Sequence, residues 1–295
     1  MAKSLSKSRK REAILGVIFC SPWILGFLFM FVYPMGSSLF FSFTNYNGGV
    51  IMDFVGMQNF VSALGSSGFQ RALRNSLVWT LISVVLTTVF GLLMAMLVKP
   101  RIAGMKAFRT IYYIPNVLNG VAVVFLWQWM LGYAGPINMA LGWFGISQIS
   151  WLTSEFWIMP SLMFMNVWGV GAVLLIYLAA LQGVPQELLE AAEVDGAGRV
   201  RKFWSITVPS ISGILMFNVI IGVVQGLAFF IGALLLAPTN PGAFFLGQLI
   251  YEQAFVQNNF GFANAIGWLV MIIMLTTALL LQKLSKRIVF HMDGS

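Results

Sequence analysis

The sequence contains little charge. Of its 295 residues, 9% are charged and 59% are apolar, and the mean hydropathy is +0.87. A soluble domain is about one quarter charged and about one half apolar. The composition excludes an ordinary soluble protein and predicts one polytopic membrane domain with no large soluble domain attached.

Cysteine and histidine each occur once. The single cysteine, Cys20, excludes an internal disulfide framework. Because Cys20 lies in an apolar run, we predict that it is a small buried residue. The one histidine, His291, lies in the C-terminal tail. We therefore expect no metal site in this chain.

Asp, Glu, Lys, Arg and His are missing from six apolar stretches that are long enough, at about 20 residues, to cross a bilayer as helices. An ion-coupled carrier places ionisable groups within the membrane, and an intramembrane enzyme needs an acid, a base or a metal ligand there. The absence argues against both classes. The six predicted spans are Ala13–Tyr33, Ser76–Val98, Ile111–Leu131, Phe156–Leu181, Ser212–Leu236 and Gly261–Gln282. Residues 34–75, after the first span, are predicted to form a long external segment.

A phosphate-binding loop for ATP is also missing. No lysine follows a glycine, so the pattern G-x-x-x-x-G-K-[ST] cannot occur in this sequence. If the protein moves a solute uphill, the energy has to come from another subunit.

Lysine and arginine lie mostly on one side of the predicted spans. Of the 17 basic residues, only Arg71 and Arg74 fall on the opposite side. Cytoplasmic loops carry the excess of these residues, so we predict that both termini and the loop after the fourth span are cytoplasmic. The predicted organisation is a basic tail at 1–12, a six-helix domain at 13–285 and a second tail at 286–295. Because topology explains the net charge of +8, we expect a lipid bilayer and no nucleic acid as partner.

One compact segment is highly charged. Seven charged residues lie between Glu187 and Pro209. Pro185 and Glu187 favour the start of a helix, and Gly196 favours its end. The pattern predicts a cytoplasmic helix-turn-helix between spans four and five. The alternative is a solvated loop that merely satisfies the topology rule.

The spacing within this segment resembles the E-A-A loop of binding-protein-dependent ATP-binding cassette importers, E-A-A-x3-G-x9-I-x-L-P. Glu190-Ala191-Ala192 is followed at the same spacings by Gly196, Ile206 and Val208-Pro209, with valine in place of leucine. The resemblance implies an all-α permease with six transmembrane helices, in which this loop is a coupling helix that sits in a groove of a cytoplasmic ATPase. The implied coupling residues are Glu190, Ala191, Ala192, Asp195, Gly196 and Ala197.

Other parts of the chain resemble the carbohydrate-uptake branch of that family, including the maltose-transporter F-type and glycerol-phosphate A-type permeases. One departure is Ala237–Gly242, where such proteins often carry a Thr-x-Gly-Gly-Pro-type segment. The matching elements are Ser42-Phe43-Thr44, Phe54–Phe60, Arg109-Thr110 with Tyr113-Ile114-Pro115, and Leu178–Pro185.

The resemblance implies a set of partners and a substrate class. The expected assembly has a second permease subunit forming a heterodimer, two cassette subunits that bind ATP and Mg²⁺, and an extracytoplasmic solute-binding protein, in a bacterial or archaeal cytoplasmic membrane. This chain would be a transport subunit without a cofactor, not an enzyme. The expected substrate is a sugar or oligosaccharide, with glycerol phosphate, a polyamine or another small solute as the alternative. A non-transporting scaffold or sensor and an ion-coupled carrier are the competing classes.

Amide and aromatic side chains within the spans are candidates for a substrate path. They suit the hydroxyl groups and apolar faces of a neutral sugar, and in hydrocarbon they should face the bundle or a cavity. Hydrogen bonding between helices is the alternative role. We expect at least two of Asn218, Gln225, Asn264 and Trp268 to line the path. The full candidate set is Asn166, Asn218, Gln225, Phe229, Asn264 and Trp268.

Overall fold

Helices form both compact units into which the chain divides. The computed structural model describes residues 7–49, 52–100, 104–118 and 120–288. The first unit comprises Met1–Leu64 and Glu252–Trp268, and the second comprises Gly65–Tyr251 and Leu269–Ser295. Within these described ranges, β pairing is limited to a bridge between Thr44 and Phe54. The predicted all-α class is confirmed.

The first unit contains one long apolar helix. Helix α1 (Lys7–Phe27) continues through a π-turn at Leu28–Val32 into α2 (Tyr33–Ser42), and α3 (Gln58–Gly65) and the start of α16 (Phe260–Ile288) follow along the chain. The apolar span covers Ile14–Ser42, so the predicted start at 13 agrees with it and the predicted end at 33 is wrong. The π-turn explains the C-terminal extension: Tyr33 N–H donates to Leu28 O just before Pro34, which has no N–H to offer.

The side-chain amide of Asn59 helps to close the connection between α2 and α3. Asn59 Nδ2 donates to Ser42 O at 2.9 Å and to Thr44 O at 2.8 Å. Gly56 has a φ of +58°, a conformation that glycine adopts readily. The structure thus gives physical reasons for the glycine and the asparagine of the Phe54–Phe60 element.

The second unit is built around α4, and helices within it are broken more often than the sequence predicts. Besides the later part of α16, its helices are α4 (Ser67–Val98), α5 (Met105–Val117), α6 (Gly120–Met130), α7 (Pro136–Trp143), α8 (Ile158–Trp168), α9 (Gly171–Gln182), α10 (Gln186–Val194), α11 (Arg199–Lys202), α12 (Val208–Ser210), α13 (Ser212–Leu227), α14 (Ile231–Leu236) and α15 (Leu246–Tyr251).

The described helices account for six apolar spans only when bent pairs are counted as one span each. Three helices are long and apolar enough alone: Ile14–Ser42, Ser67–Val98 and Phe260–Lys286. The other three candidates are bent pairs: Ala107–Val117 with Gly120–Met130 at 100°, Ile158–Trp168 with Gly171–Gln182 at 49°, and Arg199–Ser210 with Ser212–Leu227 at 68°.

The bends and shifted boundaries have local causes. Span two begins at Ser67 instead of Ser76 because Ser66 Oγ accepts a hydrogen bond from Phe69 N–H and caps the helix. The predicted third span is interrupted where Leu118 adopts an extended backbone with ψ 146°. The predicted fifth span stops being helical after Leu227 and resumes at Ile231, because Phe230 adopts φ −157°.

Glycines allow helices to approach α4 closely. A Cβ at Gly226 would lie 2.8 Å from Thr80 Oγ1 and 3.0 Å from Thr80 Cα, and one at Gly222 would lie 3.2 Å from Val84 Cγ2. The two glycines are four residues apart on α13, the spacing of a small-xxx-small helix contact. On the other side, a Cβ at Gly91 would lie 2.8 Å from Val173 Cγ1 of α9.

Cys20 is exposed, so the prediction that it is buried is wrong. It lies on α1, and the most apolar 18-residue window of Ile14–Ser42 has no buried residue. An apolar run therefore indicated contact with lipid or another subunit here, not burial within the chain. The predicted residue His291 and parts of both predicted tails, 1–6 and 289–295, lie outside the described residues.

Replacing Gly226 by alanine is expected to destabilise the protein. The added Cβ would press on the Thr80 backbone, a form of overpacking that costs about 1–3 kcal/mol, or a fall of roughly 5 °C in the thermal unfolding midpoint in detergent. Gly267→Ala is the control, because nothing beyond the adjacent residues and backbone of its own helix lies within 4 Å of its Cβ position, and alanine favours a helix. Equal midpoints for the two variants would contradict the close contact between α13 and α4.

Candidate functional site

The charged segment forms the predicted helix-turn-helix. Helix α10 follows Pro185, carries Glu187 in its first turn and ends at Val194, with Asp195 as its C-cap residue. Gly196 has a φ of +76° and donates its N–H to Glu193 O at 3.0 Å, and Ala197 N–H donates to Ala192 O at 2.8 Å. This closes α10 with a left-handed turn that favours glycine.

An ion pair connects the two halves of the segment. Lys202 Nζ of α11 lies 2.8 Å from Glu193 Oε2 of α10. The hydrogen bond from Lys202, together with its charge, lowers the pKa of the Glu193 carboxyl below its ordinary value. After α11 the chain continues through a π-turn at Phe203–Thr207 into α12 and then bends into α13. The segment is therefore structurally continuous with a predicted span.

One face of the segment packs inward and the other is exposed. Leu189 and Ile206 pack against a buried cluster that includes Leu178 and Leu181 of α9. On the outside, Val194 is 89% exposed. The outcome for the predicted coupling residues is that Glu190, Ala191, Asp195 and Gly196 are exposed, while Ala192 and Ala197 are half-buried.

Gly196→Val is expected to loosen the turn after α10, because a β-branched residue is strained at positive φ. A cost of about 1–2 kcal/mol raises local opening roughly 5–30-fold. The measurement is the rate of trypsin cleavage after Arg199 and Arg201 in the detergent-purified chain. Gly196→Asn is the matched control, since asparagine tolerates this conformation, and it should be cleaved close to the wild-type rate. Equal cleavage of the valine variant and wild type would show that the turn does not need the glycine.

A polar cavity of about 240 Å³ lies between α4, α8 and α13. Three of the predicted path residues meet there, Asn166, Gln225 and Phe229. Trp79 of α4 stacks on Phe229 with ring centroids 4.3 Å apart. The remaining lining residues are Ser83, Val84, Thr87, Gly222 and Gly226.

The cavity is lined by amide and aromatic side chains, and its hydroxyl groups already donate hydrogen bonds to carbonyls of their own helix. Asn166 Oδ1 is buried without a hydrogen-bond partner among the described residues. Thr87 Oγ1 donates to Ser83 O at 2.8 Å, and Ser83 Oγ donates to Thr80 O at 3.2 Å. The lining residues carry no ionisable acid or base, so the arrangement suits a neutral polar group that stacks on an aromatic ring.

The structure places the other candidate path residues elsewhere. Asn218 is half-buried, does not line the cavity and donates to Ile214 O of its own helix at 3.0 Å. Asn264 and Trp268 belong to the first compact unit, where Asn264 Oδ1 accepts from Ser38 Oγ at 2.7 Å. We expected at least two of Asn218, Gln225, Asn264 and Trp268 to line the path. Of these four residues, Gln225 lines this cavity.

The sequence reasoning missed the contribution of α4. Trp79, Ser83 and Thr87 recur every four residues, which places them on one face of the helix. Their spacing within an apolar run was a usable signal.

Two buried asparagines, Asn75 and Asn240, form hydrogen bonds that fix the segment Ala237–Gly242, where related permeases often carry a Thr-x-Gly-Gly-Pro-type sequence. Asn240 Nδ2 donates to Leu152 O at 2.9 Å, and its Oδ1 accepts from Gly242 N–H. Asn75 Nδ2 of α4 donates to Pro241 O at 2.9 Å. The segment Ala237–Gly242 therefore forms an ordered connection that is hydrogen-bonded to α4.

Comparison with known proteins identifies the family. The model of the binding-protein-dependent transport system inner membrane component matches residues 87–290, more than half of the chain. The chain belongs to this family. The probable ABC transporter permease protein YesP of Bacillus subtilis is 33% identical, with 97% of this chain and 94% of that protein covered.

Two further similarities cover nearly the whole chain. The multiple sugar-binding transport system permease protein MsmF of Streptococcus mutans is 33% identical, covering 90% of this permease and 93% of that protein. A solved chain of a bacterial alginate ABC transporter, in complex with an alginate pentasaccharide-bound periplasmic protein, is 26% identical with a TM-score of 0.85, covering 96% of this chain and 97% of that one.

Proposed function

We propose that this permease is a transmembrane subunit of an ATP-driven importer that carries a sugar or oligosaccharide delivered by an external binding protein. The observation that carries the proposal is the full-length similarity to MsmF, a sugar transport permease by name. The uncharged cavity with Trp79, Phe229 and two amides supports a neutral polar substrate. The alternative substrates, glycerol phosphate and polyamine, carry charge that these lining residues do not neutralise.

Helix α10 is the proposed contact with the ATPase. Its exposed Glu190 and Ala191 form an outer surface, to which Val194, 89% exposed, adds an apolar side chain. The proposed ATPase subunits bind ATP and Mg²⁺, since this chain lacks the phosphate-binding loop. The proposed orientation places both termini and α10 to α12 on the cytoplasmic side, where basic residues concentrate.

Motion at α10 has a direct structural route to the cavity. Leu189 and Ile206 couple the segment to the cluster around α9. The chain then runs from α12 into α13, which contributes Gln225 to the cavity and is followed by Phe229, another of its lining residues. A rigid movement of the segment would therefore shift one cavity wall against α4, in the manner of helix shifts at bistable contacts. A second permease subunit, expected as the other half of a heterodimer, would complete the pathway.

Ala191→Trp is expected to abolish ATP-driven uptake by vesicles that hold the whole complex. Ala191 is exposed, so the bulky side chain should leave the fold of this chain intact while preventing close approach of the ATPase. Uptake, ATPase retention during purification and the unfolding midpoint are measured together. A scaffold or sensor predicts undiminished uptake, and an ion-coupled carrier predicts uptake that follows the proton or sodium gradient. Either outcome would overturn the proposal.

Gln225→Leu is expected to weaken uptake of a sugar while Asn218→Leu has little effect. Both residues are amides on α13, but Gln225 lines the cavity and Asn218 bonds its own helix. Loss of one hydrogen bond to a neutral ligand, about 0.5–1.5 kcal/mol, corresponds to a two- to tenfold change in the concentration for half-maximal uptake. Equal effects of the two variants would show that the cavity is not on the substrate path.

A further inference from the structure

A second hollow, of about 220 Å³, lies where α4 ends and α11 begins. It gathers basic residues from positions about one hundred residues apart: Lys99 follows α4, and Arg199 and Lys202 belong to α11. Its other walls are mainly apolar and include Met96, Leu181 and Phe203. Three cations around a small, partly apolar hollow form an arrangement that the proposed transport role does not use.

The positive charge of this hollow is incompletely balanced. Among the described residues, the ion pair formed by the cluster is that of Lys202 with Glu193, and the Glu193 side chain is 74% exposed. Asp195 lines a neighbouring hollow with Lys202 and Arg201. Lys99 and Arg199 have no ion pair in the described part of the chain. The hollow therefore attracts an anion.

The hollow stands at the edge of an apolar helix surface. Helix α4 is apolar over most of its 32 residues and ends at Val98, so Lys99 lies where the hydrocarbon region should end. Next to Met96, Leu93 is 50% exposed and Leu97 is 64% exposed. Trp204, beside Phe203, is 64% exposed, and tryptophan is enriched at the membrane interface.

We propose that this hollow binds the phosphate group of an anionic phospholipid, whose acyl chains lie along the exposed apolar face of α4. Basic pockets between transmembrane helices suit such headgroups. The volume is below the roughly 300 Å³ at which pockets for drug-sized molecules begin, which suits a headgroup. The apolar walls and the adjacent exposed leucines favour a lipid over free phosphate, because an isolated phosphate offers nothing that would cover them.

The bound lipid would share Lys202 with Glu193 of the charged segment. Lys202 bonds Glu193 of α10 and also lines the hollow. A phosphate in the hollow therefore competes with Glu193 for the same ammonium group and links the surrounding lipid to the position of α10.

The test is native mass spectrometry of the full chain, purified in detergent and incubated with phosphatidylglycerol or phosphatidylcholine. The variant is Lys99→Gln/Arg199→Gln, which removes the two cations without an ion pair and leaves Lys202 with Glu193. The control is Lys283→Gln/Lys286→Gln, which removes the same charge from two exposed lysines of α16. At about fivefold per charge, the variant should lose roughly 30-fold in phosphatidylglycerol affinity while the control stays near wild type, and phosphatidylcholine should bind weakly to all three.

Three outcomes would overturn the proposal. Equal losses in the variant and the control would indicate general charge attraction. Undiminished phosphatidylglycerol binding by the variant would place the lipid elsewhere. Displacement of the lipid by inorganic phosphate, with loss of phosphate binding in the variant, would assign the hollow to a free anion. The unfolding midpoints of all chains are measured, so that a folding defect in the variant is recognised, and Lys99→Gln alone then repeats the comparison.

Discussion

Close backbone approach to α4 is the constraint on which the second unit depends. Lipid tails are as apolar as the helices, so burial of apolar surface contributes little to helix association in a bilayer. Association has to come from dense packing, and Gly222 and Gly226 of α13 provide it on one side while Gly91 of α4 admits α9 on the other. The cavity follows from this geometry, because α13 is held close enough to α4 for Trp79 and Phe229 to stack.

The fold class was predictable because apolar length alone decides whether a helix can span a bilayer, whereas helix ends and bends depend on single local contacts. Ser66 extends α4 by capping it, the π-turn carries the first helix past Pro34, and Leu118 interrupts the third span. Hydropathy does not register such effects. Cys20 shows a related limit, since an apolar run does not reveal whether the chain, the lipid or another subunit covers it.

The candidate sites differed in predictability for a similar reason. The charged segment is local: Pro185 starts a helix, Gly196 ends it, and both effects act within a few residues. The cavity is tertiary, and the contribution of α4 becomes visible only when α8 and α13 are placed beside it. Asn218 and Gln225 are seven residues apart on one helix, yet the first bonds its own backbone and the second lines the cavity.

For the proposed substrate path, the hydroxyls of Ser83 and Thr87 would have a consequence for the timing of transport. Both donate to carbonyls of their own helix, so a solute in the cavity would find its donors mainly in the amides of Asn166 and Gln225. So few polar partners imply weak binding and a short residence time of the solute. Weak binding suits a pathway from which the solute has to leave again. Discrimination between similar solutes would then lie upstream, with the protein that delivers them.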